Sequence, residues 1–160
     1  MINNAKELLQ EKAKNIFTEF SSESSLNSVM SCCFLALQFK AENLKVFYPK
    51  RKSPLADYVV VMTATNITQA NAIAENILRF LKNQKIDYRV EGLQKADWIL
   101  IDLQDVLVHI FLPETRDLYN LDQLYAYIEK IHIPDEFYSQ QLISAEAVSN
   151  SKSTNYQDYF

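Results

Sequence analysis

Two runs of alternating apolar residues, W-I-L-I-D-L at 98–103 and V-L-V-H-I-F-L at 106–112, are separated by Gln104 and Asp105 alone. Period-two alternation marks a strand, and a two-residue polar break between two such runs reads as a tight hairpin. Pro113 ends the second strand, because proline has no N–H for a central ladder but suits the first turn of a helix. With Gln104 and Asp105 as the turn, Leu103 lies opposite Val106 and Leu100 opposite His109. Side chains alternate across each strand. Ile99, Ile101, Leu103, Val106, Val108 and Ile110 therefore share one wholly apolar face, expected beneath helices. Trp98, Leu100, Asp102, Leu107, His109 and Phe111 share the other. A plain core does not need that mixture of aromatic, acidic and imidazole groups.

The remaining segments arrange themselves around this hairpin. Ala5, Leu8, Leu9, Ala13, Ile16, Phe17 and Phe20 recur at helical spacing over residues 3–20. This amphipathic helix either packs on the domain's own surface or docks a partner. Residues 21–25 form a short linker in which Ser24 or Ser25 can cap the next helix. That helix, 26–41, is apolar nearly all round from Val29 to Phe39 and should be deeply buried. Residues 44–48 read as a short strand. Residues 49–54 are a loop closed by two prolines, whose Lys50, Arg51 and Lys52 are read as solvated rather than as a phosphate contact. Y-V-V-V-M at 58–62 is an unbroken apolar strand, hence central. Asn66 then caps a helix running to about Asn83, with Gln69 at the reciprocal capping position. Residues 88–91 are a strand, and Gly92 permits the turn after it. Beyond the hairpin, 113–119 make one or two helical turns, and Asn120 caps a second helix from Leu121 to about Ile131, stopped by Pro134. From about Asp135 the chain is polar and poor in aliphatic residues, and a largely flexible tail is expected. The fold class is α/β (α+β): a single domain with a mixed five-stranded sheet flanked by helices.

Composition excludes several functions. Gly92 is the only glycine, so the glycine-rich phosphate loops are absent. Cys32 and Cys33 are the only cysteines; sequence neighbours rarely bridge, and within C-C-F-L-A-L they read as small core residues. The net charge of −4 argues against a dedicated nucleic-acid site. There is no signal-peptide pattern, no arginine-rich transit pattern and no apolar run of membrane-spanning length. A soluble cytoplasmic protein in a reducing compartment is expected, without metal or cofactor. The candidate acids and bases are Asp102, Asp105 and His109. Asp102 and His109 are diagonal neighbours across the hairpin, within reach of a contact that would form half of a hydrolytic triad. The nucleophile is missing, so no catalytic residue is assigned. The two histidines, His109 and His132, lie on different elements, which disfavours a metal site. Charge is the better clue. Eight acids stand against three bases between residues 87 and 122, which reads either as a solvated acidic surface or as a docking surface for a basic protein.

An ordered series of motifs now becomes recognisable: S-P-L-A-D-Y at 53–58, T-A-T-N at 63–66, V-E-G at 90–92, D-W-I-L-I-D-L-Q-D-V-L-V-H-I-F at 97–111, then Glu114, Arg116, Tyr119 and L-D-Q-L-Y at 121–125. Over about residues 41–125 the chain resembles the ribosomal silencing factor, or Iojap, family. It departs from the family pattern at Ala64 and Gln104, where glycine is usual, at Asn66 for serine, Asp122 for glutamate and Tyr125 for tryptophan. The resemblance implies a nucleotidyltransferase-like fold without its catalytic residues. It implies binding to the large ribosomal subunit through universal ribosomal protein fourteen, steric block of 50S–30S joining, repression of translation, and a role in large-subunit biogenesis. A homodimer when free is a further expectation. The docking surface is then assigned to Trp98, Asp102, Asp105, His109, Glu114, Arg116 and Tyr119, with Arg116 alternatively pairing internally with Glu114 or Asp102. Asp57, Tyr58, Thr63, Thr65, Glu91 and Gly92 are assigned to holding the fold. Residues 1–22 are an N-terminal extension, 23–133 the family-like domain and 134–160 the tail. The rival readings are a divergent nucleotidyltransferase-like enzyme and a general protein-interaction adaptor.

Overall fold

Residues 2–49 and 56–139 are described by the computed structural model; the basic loop residues from Lys50 to Pro54 and the chain beyond Ser139 lie outside them. The order is α1 (Ile2–Glu19), α2 (Ser24–Gln38), β1 (Glu42–Tyr48), β2 (Tyr58–Thr63), α3 (Ile67–Asn83), β3 (Arg89–Glu91), β4 (Trp98–Asp102), β5 (Val106–Phe111), α4 (Pro113–Tyr119), α5 (Leu121–Leu124), β6 (Glu129–Lys130) and α6 (Glu136–Ser139). One mixed sheet contains all the strands in the order β3-β4-β5-β2-β1-β6. β2 runs parallel to β5, and the other pairs are antiparallel.

The hairpin has the register that alternation predicts. Leu100 faces His109, Asp102 faces Leu107 and Trp98 faces Phe111. The Leu103 N–H donates to the Val106 carbonyl at 2.9 Å. Gln104 makes the turn at φ +76°, a left-handed conformation that glycine takes most readily. The Asp102 carboxylate accepts the Gln104 N–H at 2.7 Å and supports that turn.

Each face of the sheet then meets a different cover. Ile99, Ile101, Leu103, Val106, Val108 and Ile110 are all buried in the main core with Val60 and Met62 of β2. α2 and α3 close this face, and every residue of α2 from Asn27 to Gln38 is buried. α1 lies over α2, placing Leu9 and Ala13 in the same core and Phe17 edge-on to Phe80. The amphipathic N-terminal helix thus packs on its own domain, while Leu8 and Phe20 of its expected stripe remain exposed. Cys32 and Cys33 are free and fully buried, and burial pushes both thiols up, Cys32 to about 12. The opposite face carries a smaller cluster of Phe47, Ala56, Val59, Val61 and Phe111, bordered by Trp98, Leu107, Leu121, Tyr125 and Ile128.

Several local expectations are corrected. The sheet has six strands rather than five, because Glu129–Lys130 pairs with Tyr48 and Phe47 at the edge of β1. The helix expected from Leu121 to about Ile131 ends at Leu124 and passes through a turn into β6. Asn120 does not cap it with its side chain; it takes φ +47°, and its amide donates to Gln123. Neither Ser24 nor Ser25 is the cap of α2, whose N-cap is Glu23. The Ser25 hydroxyl instead donates to the Asp105 carboxylate across the fold. Asn66 does cap α3, accepting the Gln69 N–H at 2.8 Å. The Gln69 side chain, however, reaches back to the Thr65 N–H and hydroxyl rather than to Asn66, and its amide donates to the carbonyls of Phe39 and Lys40. The first residues of the expected flexible tail are packed: Phe137 is buried edge-on to Phe34, and its carbonyl accepts from Gln38.

Candidate protein-docking surface

The sheet face opposite α2 and α3 is only partly covered. α4 and α5 follow β5 directly, because Pro113 starts a helix where a strand can no longer continue. Between them Asn120 turns the chain in the left-handed region. Their cover leaves Trp98, Leu100, Asp102 and Leu107 half-buried on β4 and β5.

Trp98 is the centre of this opening. Its indole lies 5.1 Å from the Phe111 ring and 4.5 Å from the Tyr119 ring, centroid to centroid. The indole N–H donates to His109 Nδ1 at 3.0 Å. His109 is itself buried and stacks parallel to Phe111 at 5.8 Å. Burial holds its imidazole well below the usual histidine range, at about 4, so the ring is neutral. The Asp102–His109 contact that the diagonal placement allows is not the one His109 makes. Asp102 serves the Gln104 turn, and the other diagonal, Trp98 to His109, takes the imidazole.

Tyr119 is 51 % exposed at the end of α4 and continues the aromatic surface outward. Leu118, Leu124 and Tyr127 follow in sequence at 75 %, 70 % and 100 % exposure, values that leave these side chains without a cover among the described residues. Sequence reasoning missed all three. The signal was a surplus of apolar residues between 118 and 128 over what one helical stripe can bury. Glu91, Glu114 and Asp117 are exposed, Asp117 beside the Arg116 side chain, and Asp97 pairs with Lys95 at 3.3 Å.

Arg116 does not belong to this surface. It is 5 % exposed, and its guanidinium forks onto Asp122 at 3.0 and 2.9 Å while donating to the Asn43 carbonyl and the Thr63 hydroxyl. The pairing is internal, but with Asp122 rather than with Glu114 or Asp102. Lys45 adds a second cation at 3.0 Å, and these partners hold the Asp122 carboxyl down at about 2. A polar cavity of about 290 Å³ lies here, lined by Glu42, Asn43, Thr63 and Arg116 among others. Asp105 is also committed to the fold: besides its bond from Ser25, its carbonyl accepts the N–H groups of Asp57 and Tyr58.

The other residues assigned to the fold sit as follows. Tyr58 is buried, and its hydroxyl donates to Glu23 at 2.9 Å, with burial the larger cause of its raised pKa. Thr63 receives Arg116, and Thr65 binds Gln69. Asp57 and Glu91 carry exposed side chains. Gly92 has φ +87°, and a Cβ there would meet the Trp98 carbonyl oxygen at 2.1 Å, so the turn before β4 admits no side chain. Among the described residues no three His, Cys, Asp or Glu side chains gather as a metal site, and no helix is long and apolar enough to cross a membrane.

Comparison with known proteins fits this geometry. The model of the family described as ribosomal silencing factor during starvation matches residues 22–158. The chain is 34 % identical over 95 residues to the ribosomal silencing factor RsfS of Zymomonas mobilis, covering 58 % of this chain and 68 % of that one. It is 37 % identical over 87 residues to the protein of the same name from Halalkalibacterium halodurans, covering 54 % and 74 %. A mouse protein named mitochondrial assembly of ribosomal large subunit protein 1 is 26 % identical over 95 residues, covering 57 % and 42 %. A solved structure from Bacillus halodurans superposes with a TM-score of 0.57 at 30 % identity, covering 66 % of this chain and 97 % of that one. The chain belongs to the ribosomal silencing factor family.

Proposed function

We propose that this protein silences ribosomes by steric occlusion. The Trp98–Tyr119 face docks on the large ribosomal subunit through universal ribosomal protein fourteen, and the bound domain fills space that the small subunit needs. Translation is thereby repressed, and large-subunit assembly is the second setting in which the same contact serves. The observation that carries this reading is the one incompletely covered sheet face. It presents the aromatic group of Trp98, Phe111 and Tyr119, in a chain of the silencing family that also exposes Glu91, Glu114 and the apolar side chains of Leu118, Leu124 and Tyr127. Aromatic residues are enriched where interfaces concentrate their binding energy, and the excess of acids between residues 87 and 122 steers a basic ribosomal protein toward the chain. Residues 23–133 carry the docking surface, although the family model runs on to residue 158; the site of action is the cytoplasm. Away from the ribosome, two copies pair through the exposed apolar side chains of Leu118, Leu124 and Tyr127.

No enzymatic step is assigned: no nucleophile stands beside the hairpin in sequence, and His109 takes the Trp98 indole while Asp102 takes the Gln104 N–H. The test is co-sedimentation with purified 50S subunits, followed by addition of 30S. Binding to 50S with loss of 70S formation is expected, and Trp98→Ala should abolish both. Failure of the wild-type chain to sediment with 50S would refute the proposal.

A further inference from the structure

The four rings of the open face are held in different ways. Phe111 is fully buried and Tyr119 half exposed, and neither makes a side-chain hydrogen bond among those described. Trp98 sits between them, and its only polar atom is an N–H that can donate but never accept. On an exposed indole that N–H is ordinarily left to water. Here it points inward to the buried Nδ1 of His109. This contact fixes the tautomer: Nδ1 carries the lone pair, so the imidazole proton sits on Nε2. The imidazole is in turn held flat against Phe111, at an interplanar angle of 5°. The chain of support therefore runs from core to surface, Phe111 to His109 to Trp98, with Tyr119 against the indole at 4.5 Å.

We infer that His109 is a positioning residue for docking: its Nδ1 holds the Trp98 indole in one orientation, so that the partner meets a preorganised ring rather than a rotating one. This rests on the reading that Trp98 belongs to the docking surface. The physical gain is entropic, because a side chain ordered before association does not have to be ordered during it. An apolar core residue would fill the same space without fixing the direction of the indole edge. His109 acts through Trp98 and needs no contact with the partner.

Two substitutions separate the hydrogen bond from the ring. His109→Phe keeps a flat ring on Phe111 but removes the acceptor. His109→Asn places an amide oxygen near the position of Nδ1 and keeps the acceptor while losing the ring. Trp98 is the only tryptophan, so its fluorescence reports on this site alone. In full-length His109→Phe, lower emission anisotropy and stronger acrylamide quenching of Trp98 are expected, together with about fivefold weaker 50S binding, the scale of ordering one side chain on association. His109→Asn should return both readouts toward wild type. Unchanged anisotropy and quenching in His109→Phe would overturn the positioning role. So would a loss of 50S binding that His109→Asn shares in full. Trp98→Phe keeps the two readings distinct. If it binds 50S like wild type, the docking assignment of Trp98 fails, whereas the fluorescence of the His109 variants still judges whether the indole is held.

Discussion

At Gly92 one missing carbon decides a local structure. The backbone at φ +87° brings the residue so close to the Trp98 carbonyl that a methyl group would overlap it. Gly92→Ala should cost at least about 2 kcal/mol, combining left-handed strain with a backbone clash; urea unfolding at neutral pH measures it. His109 gives a pH signature with a definite sign. Its imidazole has a usual value of 6.5 and is lowered by burial to about 4 in the fold. The unfolded chain therefore takes up the proton first as pH falls. Stability is at its full value above about pH 6.5, declines as pH drops toward 4, and this contribution is then exhausted, with a total on the order of 3 kcal/mol. The difference between wild type and His109→Phe in chemical denaturation across that window isolates the effect, because carboxylates titrate in both. Asp122, lowered to about 2 chiefly by its hydrogen bond from Arg116, contributes in the opposite range: its stabilisation is complete above about pH 4 and is lost as pH falls through 2.

Secondary structure shows how a chain with a single glycine ends its elements. Lys40 after α2 and Lys85 after α3 both take positive φ, at 64° and 57°. The Ile86 N–H then returns to the Leu81 carbonyl and the Ala41 N–H to that of Ala36, so helix-end carbonyls are satisfied as they would be around a glycine. Lys85→Gly should relieve about 1 kcal/mol of that strain and raise the melting temperature by a few degrees, which a thermal scan checks. The long elements were legible because periodicity repeats within them. Alternation marked the hairpin and both its faces, and Ala70, Ala74, Ile77, Leu78 and Leu81 at helical spacing after the Asn66 cap marked the buried stripe of α3, although Ile67, which the same spacing puts in that stripe, is exposed. β6 was not legible: two charged residues carry no alternation, and they form a strand only because Phe47 and Tyr48 offer partners 83 and 81 residues away in the chain. Arg116 was misplaced for the same reason. Its true partners are Asp122, Asn43 and Thr63, and only Asp122 is near in sequence. The diagonal chosen by His109 depends on which indole or carboxylate the twisted strands bring close, which spacing alone leaves open.

For the whole molecule, the N-terminal helix is part of the core's covering rather than a free arm. Leu9 and Ala13 are buried against α2, and the Ser31 hydroxyl donates to the Ala13 carbonyl at 3.0 Å. Removing residues 1–22 should cost several kcal/mol through lost apolar burial, read as a lower melting temperature. Sedimentation with 50S should persist at temperatures where the shortened protein stays folded. If binding disappears while the circular dichroism remains native, the adaptor reading of that helix replaces hairpin docking.

The sheet's borders carry one more consequence. β3 contributes three residues at one side and β6 two at the other. Beyond β6, β1 is bent by an irregularity between Glu42 and Lys45, with Asn43 at φ +48° and its carbonyl occupied by the Arg116 guanidinium. Amyloid-like templating needs a long flat row of free backbone donors and acceptors. Among the described residues neither border offers one, so the sheet gives a second copy side-chain surfaces to meet rather than an open ladder.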